Sequence, residues 1–111
     1  MTGPPTFYPG QLRITREIEG QTVRLAIRGE IDLGTAPALE RELHDAERSE
    51  LRRVVLDLAA LDFLDSTGIH LLIDAQHRAE TNGHHLVLTR VPRHVDRLLT
   101  LTGLAPRLTI D

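Results

Sequence analysis

The sequence contains no cysteine and no lysine, and each absence excludes a class of chemistry. All 13 basic residues of this 111-residue chain are arginine. Without cysteine there can be no disulfide framework, no thiolate nucleophile and no zinc–thiolate site. Without lysine there can be no phosphate-loop lysine and no Schiff-base chemistry. Any functional site must therefore be built from other side chains.

Aromatic residues and long apolar runs are also scarce. Aromatics make up only 3% of the chain, so the core must consist of aliphatic side chains, which favours a helix-covered sheet. The net charge of −3 argues against a nucleic-acid partner, because phosphate binding requires a basic surface. No apolar run approaches the roughly 18 residues of a membrane helix, and no basic-then-apolar signal segment opens the sequence. We expect a single cytoplasmic domain that makes no membrane contact.

The first third of the chain predicts a loose lead followed by a β-hairpin. Residues 1–10 are rich in proline and glycine and are expected to form the lead, with the folded domain spanning 11–111. Apolar and polar residues alternate from Leu12 to Ile18 and again from Val23 to Ile27, with a turn at Glu19-Gly20-Gln21 between them. This pattern predicts two antiparallel strands.

The rest of the chain alternates between helical and strand patterns. Thr35 can cap a first helix that reaches about Arg48, and Asn82-Gly83 is a typical end for the second. The further elements are a buried strand at Val54–Leu58, a helix from Ile69 to about Thr81, a strand at Leu86–Leu88, a helix opened by Pro92, and a short last strand at Leu108–Ile110. The order β-β-α-β-α-β-α-β predicts an α/β domain with a mixed sheet, an N-terminal antiparallel hairpin and covering helices.

The stretch from Leu61 to Gly68 concentrates polar groups between a predicted buried strand and a predicted helix. Asp62, Asp65, Ser66 and Thr67 lie within six residues of one another. A turn in this position lies at the carboxyl edge of the sheet, where ligands and partners bind in open α/β folds. The simplest interpretation is that Asp65 or Ser66 caps the following helix.

Three other kinds of functional site are possible for the polar residues of this chain, and the sequence supports each of them only weakly. A hydrolase using Ser66 with His70 lacks the glycine two residues before the serine that a nucleophile elbow requires. A metal site could use His70, Asp74 and His77, or the pair His84-His85, but histidines on a polar helix face are usually only solvated. We therefore predict no metal and no cofactor.

A phosphoacceptor aspartate is the third alternative. Asp57 or Asp62 lies near the end of a strand, as in response-regulator receivers. The acidic pair expected after the first strand and the lysine of such sites are both absent. We expect Asp57 to be a strand residue on the polar side of the sheet.

Two motifs together resemble those of a known family. Asp62-Phe63-Leu64-Asp65-Ser66-Thr67-Gly68 resembles the phosphorylation loop of STAS-domain anti-sigma-factor antagonists. Gly29-Glu30-Ile31-Asp32, with Thr35-Ala36 after it, resembles the second motif of the same family. The resemblance covers roughly residues 10–110 and implies a STAS domain.

The resemblance implies a regulatory protein and not an enzyme. Ser66 would be phosphorylated by an anti-sigma factor that is itself a serine kinase, and a PP2C-type phosphatase would reverse the modification. The unphosphorylated form would bind the kinase and release the sigma factor. The implied partner-binding residues are Asp32, Asp62, Asp65, Ser66, Thr67 and Gly68. The alternative is a STAS scaffold subunit, as in stressosome-like or lipid-transport complexes, outside any sigma-factor pathway.

Overall fold

A computed structural model describes residues 6–8 and 12–111 of the chain. It contains strands β1 (Thr6–Tyr8), β2 (Leu12–Glu19), β3 (Thr22–Ile31), β4 (Arg53–Leu64) and β5 (His85–Thr89), and helices α1 (Ala36–Glu47), α2 (Ser66–Asn82) and α3 (Arg93–Leu101), followed by a short 3₁₀ turn (Ala105–Arg107).

The five strands form one sheet in the order β1-β2-β3-β4-β5. The pairs β1–β2 and β2–β3 are antiparallel, whereas β3–β4 and β4–β5 are parallel. The mixed α/β sheet with an antiparallel hairpin at its start is therefore confirmed. Because β3 and β4 are parallel neighbours, the loops that follow them meet at one edge of the sheet.

The hydrophobic core lies between one face of the sheet and the three helices. Leu25 of β3, Leu56 of β4 and Leu88 of β5 are fully buried in it. Leu39 of α1, Leu72 of α2 and Leu99 of α3 pack into the same core. Among the described residues the opposite face of the sheet carries no helix, and the buried Val55 and Val87 on that face lie outside the core.

The central strand is longer than the sequence predicts. β4 continues six residues beyond the predicted end at Leu58, and α2 begins at Ser66 rather than at Ile69. Two register shifts between β4 and β3 explain why the predicted strand was too short. Each inserts one extra residue into β4, so its core residues are two apart up to Leu58 but three apart from there to Leu61 and Leu64.

Both ends of the chain also differ from the prediction. Thr6–Tyr8, within the segment predicted to be a loose lead, pairs with β2. The other residues of that lead, 1–5 and 9–10, lie outside the described part of the chain. Near the other end, Leu108–Ile110 does not form a strand, and Ile110 makes only an isolated parallel bridge to Leu88. Neither three-residue stretch is long enough to show a periodic pattern.

Candidate phosphorylation and partner-binding site

The ends of β3 and β4 are joined at the carboxyl edge of the sheet. Ile31 pairs with Leu64 as the last residue of each strand. The backbone N–H of Asp65 then donates to the carbonyl oxygen of Ile31 at 3.2 Å. The two sequence motifs, separated by about thirty residues in the chain, are therefore adjacent in the fold.

Asp65 is the residue that caps α2. Its Oδ1 accepts a hydrogen bond from the Gly68 N–H at 3.0 Å, which satisfies one of the free donors at the helix N-terminus. Of the two cap candidates, Asp65 or Ser66, the structure selects Asp65. Ser66 becomes the first residue of α2 and is exposed, while Thr67 is partly exposed.

The surroundings of Ser66 do not resemble those of a catalytic nucleophile. Nδ1 of His70 lies 2.8 Å from the carbonyl oxygen of Ser66, to which it donates. Throughout residues 12–111 the Ser66 hydroxyl has no hydrogen-bond partner. His70 therefore binds the backbone of the first helical turn and does not activate the hydroxyl, which stays open to solvent and to a partner.

Asp32 organises the loop that follows β3. Its Oδ1 accepts from the backbone N–H groups of Gly34 at 2.9 Å and Thr35 at 3.0 Å. The Thr35 hydroxyl accepts from the Asp32 N–H and donates to the Glu30 carbonyl oxygen at 2.8 Å. The prediction that this hydroxyl caps α1 is therefore wrong. The hydroxyl makes its hydrogen bonds with groups that precede the helix and none with the N–H groups of the helix.

Gly68 lies inside the site and not on its surface. It is buried where the first turn of α2 crosses the ends of β3 and β4. A Cβ at this position would lie 2.8 Å from Cγ2 of Ile31 and closer still to Cδ1 of Leu64. Gly68 therefore sets how closely the Ser66 turn approaches the sheet, and it offers little surface to a partner.

We expect Gly68→Ala to lower the free energy of unfolding by about 1–2 kcal/mol, because added core atoms force neighbours to move. The flexible end of Leu64 can relieve part of the overlap. The control is Gly34→Ala, where the added Cβ would meet its nearest atom, Asp32 Oδ1, at an ordinary 3.4 Å. Urea denaturation of both variants checks this prediction, and equal effects would contradict it.

Acidic and apolar residues are exposed in the two chain segments that meet at this edge. Asp62 is the extra residue of the second β4 bulge, and its side chain is exposed. Phe63, which follows it, is 47% exposed, and Leu33 in the Asp32 loop is 75% exposed. Leu33 and Phe63 thus leave apolar side-chain surface exposed in the Asp32 loop and at the end of β4.

The other candidate ligands do not come together. Within the part of the chain that the structure describes, no group of three or more histidine, aspartate or glutamate side chains is placed to hold a metal ion. His70, Asp74 and His77 are exposed along α2. No helix among the described residues is long and apolar enough to cross a membrane.

Sequence reasoning missed the ion cluster around Asp57. Asp57 is only 4% exposed, and its carboxylate accepts from Arg24 Nη2 at 2.6 Å and from Arg90 Nε and Nη2 at 3.1 and 2.5 Å. Burial alone raises the pKa of Asp57, but hydrogen bonds from Arg90, the Ala59 N–H and Arg24 outweigh it and lower the pKa to about 2. This ionised carboxylate is paired with two arginines in the middle of the sheet. It does not lie at the end of a strand, where a phosphoacceptor aspartate would be expected.

The fold and the site together match a known family. Residues 13–111 match the model of the STAS domain family, and the chain belongs to that family. A curated relative, the anti-sigma-B factor antagonist of Staphylococcus aureus, is 27% identical over 93 residues, which cover 84% of this chain and 86% of that protein.

Solved structures show the same likeness. An anti-sigma factor antagonist from Mycobacterium paratuberculosis is 26% identical with a TM-score of 0.78, covering 93% of this chain and 87% of that one. The anti-sigma factor antagonist SpoIIAA in its unphosphorylated form is 19% identical with a TM-score of 0.73, covering 88% and 87% of the two chains. The last comparison supports the fold alone.

Proposed function

We propose that this protein is an anti-sigma-factor antagonist whose binding to its partner is switched off by phosphorylation of Ser66. The observation that carries the proposal is the position of Ser66. Its exposed hydroxyl lies on the first residue of α2, at the edge where both family motifs meet. The curated relative from Staphylococcus aureus, named as an anti-sigma-B factor antagonist, supports the same function.

The proposed partner in the binding state is an anti-sigma factor that is also a serine kinase. A kinase must reach the acceptor oxygen directly, and the Ser66 hydroxyl is exposed for such an approach. Leu33 and Phe63 provide apolar contact area at the same edge. Asp32, Asp62, Asp65 and Thr67 supply polar contacts around it, while Gly68 supports the turn from beneath.

The switch needs a second enzyme that removes the phosphate, and we propose a PP2C-type phosphatase for this step. The protein itself acts as a substrate and a binding partner in the cytoplasm, and not as an enzyme. The His70 side chain engages the Ser66 carbonyl oxygen rather than its hydroxyl, which supports a non-catalytic serine.

The test is incubation with the host's candidate anti-sigma kinases and ATP, followed by intact mass measurement. We expect wild type to gain one phosphate and Ser66→Ala to gain none, because the modification requires the hydroxyl. Thr67→Ala is the matched control and should still be modified. Tight binding without transfer would indicate a scaffold or a constitutive antagonist, and absence of both binding and transfer would contradict the proposal.

A further inference from the structure

A cavity opens at the outer edge of β5, between the second half of α2 and the last residues of the chain. It has a volume of about 350 Å³ and is lined by residues of α2, of the turn that follows it, of β5 and of the C-terminal segment. Small-molecule sites typically have volumes of about 300–1,000 Å³, so this cavity suits a ligand at the small end of that range. Ser66 is at the opposite end of α2, and the cavity is therefore separate from the phosphorylation site.

Gln76 brings an unpaired hydrogen-bond donor to the wall of this cavity. Its side chain is only 6% exposed, and its Oε1 accepts from the Thr109 N–H at 3.3 Å. Because that N–H can only donate, Oε1 faces the C-terminal segment and the NH₂ group is left for the cavity. The amide nitrogen has no hydrogen-bond partner among the described residues. Buried polar groups normally have a partner, so an acceptor atom in the cavity would complete this one.

The backbone of Leu86 provides a second donor. Leu88 directs its N–H and C=O to the outer edge of β5, where they bond to Thr109 and Asp111. Leu86, two residues earlier, faces the same edge, because backbone groups point alternately to the two sides of a strand. Its side chain is buried in the core, so it is the main chain of Leu86 that meets the cavity. In the described part of the chain no residue bonds to this outward N–H.

Glu80 adds a negative charge to the same wall of the cavity. It follows Gln76 by four residues in α2, so the two side chains are neighbours on one helix face, with Cβ atoms about 5–6 Å apart. Glu80 is exposed and has no ion-pair partner among residues 12–111. The cavity wall thus combines donors that need an acceptor oxygen with a carboxylate that attracts a cation. A ligand that satisfies both must carry the two groups close together.

We propose that this cavity binds the α-amino group and the adjoining carbonyl oxygen of an amino acid. The oxygen accepts from the Gln76 amide and the Leu86 N–H, and the ammonium group pairs with the Glu80 carboxylate. The amino and carbonyl groups of an α-amino acid share one carbon atom, so a single residue can reach both sides of the site. The ligand is either a free amino acid or the first residue of a peptide, since both carry this pair of groups.

The test is NMR titration of the full chain with L-alanine, with tri-L-alanine and with N-acetylated tri-L-alanine, which lacks the ammonium group. The first two are expected to shift the Leu86 backbone amide and the Gln76 side-chain NH₂ signals. Acetylation should weaken binding about threefold, the worth of an exposed ion pair. Glu80→Gln should weaken tri-L-alanine to the same extent and abolish the effect of acetylation. Gln76→Met should weaken all three ligands about fivefold, because it removes a hydrogen-bond donor.

The matched control is Asp45→Asn, which removes a carboxylate that is 52% exposed on α1 and should bind like wild type. Glu80 is exposed, so its replacement should leave the fold intact and keep the test valid if Gln76→Met is unstable. Tighter binding of tri-L-alanine would identify a peptide amino terminus as the ligand, and equal or tighter binding of L-alanine would identify a free amino acid. Equal losses in Glu80→Gln and Asp45→Asn, no effect of acetylation on wild type, or no shifts at Leu86 and Gln76 would overturn the proposal.

Discussion

Phosphorylated protein is expected to bind its anti-sigma partner at least about a hundredfold more weakly than unmodified protein, a loss of about 2.7 kcal/mol. The phosphate adds about 1.5–2 negative charges at neutral pH. At an interface fitted to a hydroxyl, this charge must be desolvated next to Asp62 and Asp65. Unpaired or like-charge contacts of this kind cost several kcal/mol.

The same phosphate should leave the domain folded. Ser66 is the first residue of α2, where the free N–H groups and the helix dipole favour an anion by about 0.3–1 kcal/mol. Calorimetric titration of the partner, together with backbone amide shifts, measures both effects. Ser66→Ala should bind like unmodified protein, and Ser66→Asp should show a smaller loss because it carries one charge. Shifts throughout the core after phosphorylation would contradict a switch that acts by contact and charge.

Asp57→Asn is expected to lower the free energy of unfolding by about 2 kcal/mol at pH 7, which corresponds to the lowering of its pKa from 3.8 to about 2. The loss is smaller than the 3–5 kcal/mol typical of a broken buried ion pair, because Arg24 and Arg90 can turn towards water. Their side chains are already 40% and 63% exposed.

The effect of Asp57 should also depend on pH in a defined direction. Because folding depresses its pKa, its contribution is complete above the unfolded value near 4 and is lost as pH falls towards about 2. Urea denaturation at several pH values should therefore show wild type losing stability over that range more steeply than Asp57→Asn. Asp74→Asn, an exposed carboxylate on α2, is the control. Parallel curves for wild type and Asp57→Asn would refute the assigned role.

Sequence patterns predicted the parts of the fold that depend on local periodicity. The alternation in β2 and β3, the apolar stripe of α2 and the left-handed end of that helix at Gly83 are all present. The length of β4 was not predictable in this way, because bulges arise from register against β3. The hydrogen-bond partners of the Thr35 hydroxyl were also not predictable. The hydroxyl could bond either to the first N–H groups of α1 or to the backbone of the preceding loop, and the sequence does not distinguish between these two.

The candidate site was predicted as a cluster of residue types, but its internal geometry was not. The two motifs predicted Ser66, Asp65 and Asp32 as site residues, and the parallel pairing of β3 with β4 brings the two loops that carry them to one edge of the sheet. The tight packing of Gly68 and the Arg24–Asp57–Arg90 cluster depend on contacts across the sheet. A single aspartate within the apolar run Val54–Leu58 of β4, with arginines in β3 and after β5, was the available signal, but it has meaning only once the register is known.

The bridge at Leu88 limits how other proteins can bind the sheet. The Leu88 N–H donates to Thr109, its carbonyl oxygen accepts from Asp111, and the Gln76 side chain holds the Thr109 N–H. A peptide that extended the sheet by β-augmentation beside β5 would have to displace all three hydrogen bonds. The Leu88 end of β5 is therefore a poor position for a partner that binds by adding a strand.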